Sequence, residues 1–231
     1  FYLSGHLFDE VTLEVRRFAK RQLDELLDTR EPQLLAGIVT DLRVINGQRG
    51  KLGLFKLDDK SATIEARADE ALLTAHKNQL KDDALIVVMG KVQNDRFSGG
   101  KQLTVTQIWD LEQARCRFGK YLRVAVEARA DGKGPDVARL VREFPAQKEA
   151  TEHGELVRGL AVRLAVQRRL DPTTGGNGGA QEGTVNDPNA PCVGAIADLQ
   201  LDDSARFYPS DAALAGWRAQ AAQGKAAIAY E

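Results

Sequence analysis

The sequence predicts a mainly β fold followed by a smaller α+β region. Between residues 34 and 109, five short runs alternate apolar and polar residues or are apolar throughout, as strands do. Turn-forming Asn, Asp and Gly residues separate these runs, and one helical pattern lies between the third and the fourth. After residue 110, helical and strand patterns alternate instead. A chain of 231 residues has room for two domains of ordinary size.

The first region has a specific order of elements. Its predicted strands are Leu35–Val44, Leu52–Leu57, Ser61–Arg67, Leu85–Val92 and a run containing Leu103, Val105 and Ile108. Asn and Gly residues predict turns at Asn46–Lys51 and Asn94–Lys101. Asp69 is placed to cap a helix that runs to about Leu80. Five strands with one helix between the third and fourth are typical of an OB-fold, a small five-stranded barrel.

The flanking regions complete three predicted domains: a helical lead-in over 1–33, the OB-fold over 34–109 and a small α+β C-terminal domain over 110–231. Apolar residues at helical spacing predict that the lead-in is an amphipathic helix ending at Pro32. The segment 171–191 is rich in Gly and Pro and predicts a flexible insertion, because such a composition buries little apolar surface. The chain begins with Phe1, which suggests a piece of a longer protein.

Composition narrows the class of protein. The charges balance, with 32 Lys and Arg against 33 Asp and Glu, which argues against a protein that coats polyanions. Cys116 and Cys192 lie far apart without CxxC or His neighbours, so we expect neither a zinc site nor a disulfide. No apolar run approaches the roughly 18 residues that span a bilayer, and no leader pattern is present. We therefore expect a cytoplasmic protein with no membrane partner.

Catalytic motifs are missing from the sequence. Neither a Ser/His/Asp or Cys/His arrangement nor an HExxH motif can be assembled. The acidic pairs fall at turns or strand ends, and adjacent carboxylates on a strand point to opposite faces, which suits a two-metal site poorly. These pairs are Asp58-Asp59, Asp82-Asp83 and Asp202-Asp203. We therefore expect a binding module with no catalytic residue, metal or cofactor in this chain.

Basic and aromatic residues of the barrel region form the candidate site. An OB-fold is expected to bring its 1-2 and 4-5 loops to the same side, where they would form a basic groove with one or two aromatic platforms for single-stranded nucleic acid. The candidate nucleic-acid-binding residues are Arg43, Arg49, Lys51, Phe55, Lys56, Arg96, Phe97 and Lys101. The alternative for the loop cations is simple solvation. For Phe55 the alternative is a place in the core.

Several segments resemble a known family. FYLSGH at 1–6, LAGIVTDLRV at 35–44, LDDKSATIEA at 57–66 and VMGKVQNDRFSGGKQLTV at 88–105 are similar to the C-terminal region of proteobacterial DNA polymerase III alpha subunits. FYPSDAALAGW at 207–217 resembles the C-terminal domain that binds the clamp-loader tau subunit in that family. The resemblance implies a role in DNA replication. It also implies a parent DNA-directed DNA polymerase, a nucleotidyltransferase, whose palm carboxylates have no counterpart here.

The resemblance thus implies a non-catalytic part of a replicative polymerase. Its OB-fold is expected to bind the single-stranded DNA template, and residues within 192–231 are expected to bind tau, with other polymerase domains as further partners. Two alternatives remain open. One is a protein-interaction scaffold that does not bind DNA, and the other is a tRNA-binding OB appendage of a synthetase.

Overall fold

The computed structural model describes seven ranges of the chain, namely 8–29, 31–47, 50–94, 99–128, 134–151, 154–168 and 195–230. They form two compact units. The barrel unit is Phe1–Phe118 with Tyr230–Glu231, and the C-terminal unit is Gly119–Ala229. The insertion predicted at 171–191 lies outside the described residues.

Five strands of the barrel unit close into a barrel. They are β1 Gln33–Gly47, β2 Gly50–Asp58, β3 Thr63–Ala68, β4 Leu85–Asn94 and β5 Lys101–Trp109. The order around the barrel is β1-β2-β3-β5-β4, and β4 pairs back with β1. The β3–β5 pair is parallel and the others are antiparallel. This architecture confirms the predicted OB-fold.

Strand β1 bends so that it can pair with two neighbours. Its first half pairs with β4, and its second half pairs with β2. The register shifts between Thr40 and Arg43, where Asp41 has a positive φ of 55°. A Cβ atom on Gly37 would lie 2.8 Å from the carbonyl oxygen of Asp58, so only glycine allows β2 to approach this closely. The bend and this close approach let one strand serve both edges of the sheet.

Side chains that alternate along the strands fill the barrel. Phe55, Leu57, Ile64 and Leu103 are among its buried residues. Helix α2, Glu70–Ala75, follows β3, and the carboxylate of Asp69 accepts a hydrogen bond from a backbone N–H of its first turn, as predicted. The helix ends five residues before the predicted Leu80, and turns occupy the interval.

The lead-in is helical over a shorter stretch than its apolar spacing predicts. In the described part of residues 1–33, the helix α1 is limited to Thr12–Val15. Leu23 lies in a bend and Leu26 in irregular backbone, and both are buried in the barrel core. The predicted continuous helix to Pro32 is therefore wrong. Contacts with the barrel, rather than helix propensity, determine the conformation of this segment.

Asp59, in the turn between β2 and β3, ties the lead-in to the barrel. Its buried carboxylate accepts from the backbone N–H of Leu23 at 3.0 Å and forms an ion pair with the guanidinium of Arg16. Within its own turn it also accepts from the hydroxyl of Ser61 at 2.5 Å. Burial acts to raise the pKa of Asp59, but the hydrogen bonds from Ser61, Arg16 and Leu23 outweigh it and hold the pKa below its usual value.

An aromatic cluster completes the barrel unit. The rings of Phe18 and Phe118 stack at a centroid distance of 5.4 Å, and Trp109 meets Phe118 edge-on. Helix α3, Leu111–Phe118, contributes Arg115, whose guanidinium forms two hydrogen bonds of 2.8 Å with the carboxylate of Glu14.

The C-terminal unit is an α+β domain, as predicted. Its elements are β6 Gly119–Glu127, α4 Val137–Glu143, β7 Gln147–Thr151, β8 Gly154–Arg158, β9 Ala161–Arg168, β10 Ala195–Gln200, α5 Asp211–Gln220 and β11 Ala226–Tyr230. The main sheet has the order β10-β9-β6-β11, with β6 parallel to β9.

The β7–β8 hairpin was not predicted from the sequence, because most of its side chains are exposed and its sequence has little apolar alternation. Trp217 is fully buried in the core of the C-terminal unit.

We predict that Asp59→Asn lowers the free energy of unfolding by about 3 kcal/mol at neutral pH, because an amide cannot satisfy the donors that surround the buried carboxylate. The folded-state pKa lies below the ordinary 3.8. The contribution of the wild-type Asp59 carboxylate to the free energy of unfolding is therefore complete above about pH 4. It disappears as the pH falls through the folded-state pKa of Asp59. Urea unfolding at neutral and acidic pH measures this. The exposed Asp24→Asn is the control, and equal losses in both variants would contradict the role of Asp59.

Candidate nucleic-acid interface

The outward side chains of the barrel strands align in two rows. Cα pairing brings together the members of the first row, here called the cationic row: Arg43, Leu54, Arg67, Thr104 and Lys91. The second, here called the polar row, contains Thr40, Lys56, Glu65, Gln102 and Gln93. Phe55, Ala66 and Leu103 lie between the two rows in sequence and are buried, so the members of both rows face outward.

The cationic row carries three cations and no carboxylate. The Nε of Arg67 donates to the hydroxyl of Thr104 at 2.8 Å, which holds the guanidinium against the neighbouring strand. Arg43 and Lys91 are exposed at either side of it. The row therefore presents local positive charge on the surface of the barrel.

The polar row has little net charge. The Nζ of Lys56 lies 2.7 Å from the carboxylate of Asp41, and both side chains are about half exposed. The hydrogen bond from Lys56, with the charge of the same group, lowers the pKa of Asp41. Glu65 is the cross-strand partner of Lys56 on the other side. Lys56, one of the predicted binding residues, is thus already paired with Asp41.

The two predicted loops contact different parts of the barrel unit at their bases. The backbone N–H of Lys51 donates to the carboxylate of Glu70, the first residue of α2. At the other hairpin, the ammonium of Lys101 donates to the carbonyl oxygen of Leu26 in the lead-in, and Asn94 Nδ2 donates to Asp28 at 2.7 Å. The predicted Arg49, Arg96 and Phe97 lie outside the described residues, so the shared basic groove stays a prediction.

Phe55 is a correction to the sequence-based site. It is 3% exposed and belongs to the barrel core, so its ring cannot serve as a stacking platform. The alternation pattern of the strand does not determine whether the Phe55 side chain faces the core or the solvent. Its packing inside the barrel shows that it faces the core. Conversely, Arg67, Thr104 and Lys91 were not predicted as site residues. These three residues are identified by the register in which neighbouring strands pair. The sequence pattern of one strand does not show that register.

The described residues give little support for a metal site or a membrane-spanning helix. In this part of the chain, no cluster of three or more His, Cys, Asp or Glu side chains could hold a metal ion. Asp58 instead accepts from the backbone N–H of Lys60 at 2.7 Å, as a turn residue does. Of the helices that the structure describes, none is long and apolar enough to cross a membrane.

Comparison with known proteins agrees with this fold. Residues 34–111 match the family described as "OB-fold nucleic acid binding domain". The chain is 41% identical over 128 residues to DNA polymerase III subunit alpha from Pseudomonas aeruginosa, and 34% identical over 128 residues to the Vibrio cholerae protein. These matches cover 55% and 54% of this chain, respectively, and the chain spans 11% of the length of each relative.

A solved structure that is similar to part of this chain is the second OB-fold domain of replication protein A from Methanococcus maripaludis. It has a TM-score of 0.32 and 17% identity, and the match covers 40% of this chain and 94% of that one. The polymerase relatives confirm the resemblance drawn from the sequence. Residues 34–111 form an OB-fold domain homologous to the OB-fold region of DNA polymerase III alpha subunits.

We predict that Lys101→Met destabilises the protein by about 1 kcal/mol, because it removes the hydrogen bond that Lys101 donates to the Leu26 carbonyl. The exposed Lys91→Met should change stability by no more than about 0.5 kcal/mol. Chemical denaturation of both variants measures the difference. Unchanged stability in Lys101→Met would contradict an anchoring role.

Proposed function

We propose that the barrel unit binds single-stranded DNA across the outer face of β1, β2, β3 and β5. The cationic row is the observation that carries this proposal. Strands lie about 4.8 Å apart, so the part of the row from Arg43 on β1 to Thr104 on β5 follows roughly 14 Å of the barrel wall. OB-folds hold about 4 to 16 nucleotides, and the row is long enough to contact several phosphates of one strand.

The contacts available on this face suit a sequence-neutral ligand. Arginine and lysine pair with phosphate oxygens without reading bases, and the fork of an arginine can hold a phosphate by two hydrogen bonds. Thr104 and Gln102 add neutral donors beside the cations. The balanced net charge of the whole chain limits this attraction to the local face, so we expect modest affinity that falls with salt.

We further infer that the chain works in the cytoplasm as part of a replicative DNA polymerase, where the barrel holds the single-stranded template. The similarity to polymerase III alpha subunits supports this inference. In this proposal the nucleotidyltransferase chemistry belongs to palm carboxylates that are not among these residues. Other domains of the polymerase are the expected neighbours of the barrel unit.

For the C-terminal unit we propose binding to the tau subunit of the clamp loader through residues within 192–231. The resemblance of residues 207–217 supports it. Phe207 and Trp217 of that segment are fully buried and belong to the core. The edge strand β10 is the better candidate surface, since it carries Leu199, which is 51% exposed, and has one neighbour among the described strands of the sheet.

The two alternatives make different binding predictions. A scaffold that does not bind DNA would bind polymerase domains or tau but no oligonucleotide. A tRNA-binding appendage would prefer structured RNA to single-stranded DNA. The cationic row, which contains no carboxylate, favours a nucleic-acid ligand over a scaffold, and the polymerase relatives favour DNA over tRNA.

We predict that Arg43→Gln with Arg67→Gln weakens single-stranded DNA binding and makes the logarithm of the binding constant less dependent on the logarithm of salt concentration. The slope should fall by about 0.7 for each lost phosphate contact. Fluorescence titration at several salt concentrations measures it. Arg139→Gln with Arg142→Gln, on α4, removes the same charge elsewhere. An unchanged slope in the barrel variant would refute the proposed contacts.

We also predict that Leu199→Asp weakens binding to the tau subunit of the Pseudomonas aeruginosa clamp loader by about tenfold or more, because it places a charge in an apolar contact. Surface plasmon resonance measures the affinity. Leu156→Asp, at a side chain of similar exposure on β8, is the matched control. Equal affinity in wild type and Leu199→Asp would exclude β10 as the contact.

A further inference from the structure

The hairpin of β1 and β2 carries a partly exposed aliphatic surface, in which Leu52 and Leu54 are half-buried. Ile45 is 44% exposed and pairs with Leu52, and Leu54 pairs with Arg43. Alternate residues of a strand share a face, so Ile45, Leu52 and Leu54 lie on one side of the hairpin. We call these three residues the aliphatic strip. Leu54 is also a member of the cationic row, so the strip is continuous with the outer face of the barrel.

On the opposite side of the hairpin, Gly53 packs against α2, whereas its cross-strand partner Val44 is 56% exposed. A Cβ atom on Gly53 would come within 2.6 Å of the Leu73 side chain, which shows how closely the helix approaches. Glu70, the first residue of α2, accepts from the backbone N–H of Lys51. Helix α2 therefore packs against the face of the hairpin that carries Gly53. The strip faces the other way and keeps a defined position.

The charged residues on either side of the aliphatic strip indicate which type of ligand would contact it. Arg43 and Arg67 are the cross-strand neighbours of Leu54 on its two sides. The apolar surface is thus framed by guanidinium groups, which suits a ligand that has both apolar faces and anionic groups at close spacing. A single-stranded nucleic acid has this chemistry, because each flat base adjoins a phosphate.

Aromatic rings do not fill this role among the described residues of the barrel unit. Phe8 and Phe55 are buried. Phe18, Trp109, Phe118 and Tyr230 pack against one another in the aromatic cluster. Stacking on an aromatic side chain is the usual source of base affinity in proteins that bind single strands. Leucine and isoleucine also pack against exposed bases, as they do in proteins that unstack DNA.

We propose that the aliphatic strip is a base-contacting surface: a single strand crossing the barrel lays its bases on Ile45, Leu52 and Leu54 while its phosphates meet Arg43 and Arg67. This inference rests on the proposed function and specifies how the same face contacts its ligand. Apolar contact is insensitive to salt, whereas phosphate contact is not. Binding should therefore have two separable parts, which belong to different residues.

The test compares an oligothymidylate of about 12 nucleotides with an abasic strand of the same length, titrated against the full chain. Wild type should bind the oligothymidylate more tightly. Ile45→Ser with Leu54→Ser should lose about tenfold in affinity for it, keep wild-type affinity for the abasic strand and keep the salt slope. Leu13→Ser, at a side chain that is 85% exposed on the lead-in, is the matched control and should behave as wild type.

The outcomes separate the two proposals. If wild type binds neither strand, the proposed function fails. If wild type binds the oligothymidylate but the strip variant still discriminates between the two strands as wild type does, the base-contacting role fails alone. A wild-type dimer that the strip variant converts to a monomer in sedimentation would also overturn it, because a second copy would then cover the strip. Ile45→Ser alone, at an exposed side chain, should show a smaller loss in the same direction.

Discussion

The bend in β1 is the constraint on which the barrel depends. One strand must pair with β4 over its first half and with β2 over its second, and a sheet closes only if that strand changes direction. The positive φ of Asp41 and the absence of a Cβ at Gly37 make the change possible. With β1 bent, the five strands have no free edge in the barrel, and the β1–β2 hairpin extends beyond the point where β4 pairing ends.

The candidate site follows from this closure. Arg43, Arg67 and Lys91 are far apart in the sequence and lie on three different strands. Register alone brings them into one row, and the bulge in β1 sets which residue of that strand joins it. The same register turns Phe55 inward and Leu54 outward. A shift of one residue would exchange the two faces, so the fold and the proposed binding surface depend on the same pairing.

The lead-in shows how tertiary contacts override a local pattern. Leu23 and Leu26 have a spacing that fits a helix, but both are buried in the barrel core from irregular backbone. Asp59 provides the alternative hydrogen bonds, since its carboxylate accepts a backbone N–H that a helix would otherwise use. A pattern of apolar residues indicates that a segment is buried, whereas its partner decides the backbone conformation.

The sequence by itself determined the strand and helix order of the barrel, the cap at Asp69 and the absence of catalytic motifs, because alternation, turn residues and capping are local properties. It also identified Arg43, Lys51 and Lys101 as cations of the barrel region. Only the tertiary structure decided that Lys101 anchors the lead-in, that Lys56 is paired with Asp41 and that Arg67 joins Arg43 in one row. These outcomes depend on contacts between residues distant in the chain, and no local pattern encodes which strands become neighbours or in which register.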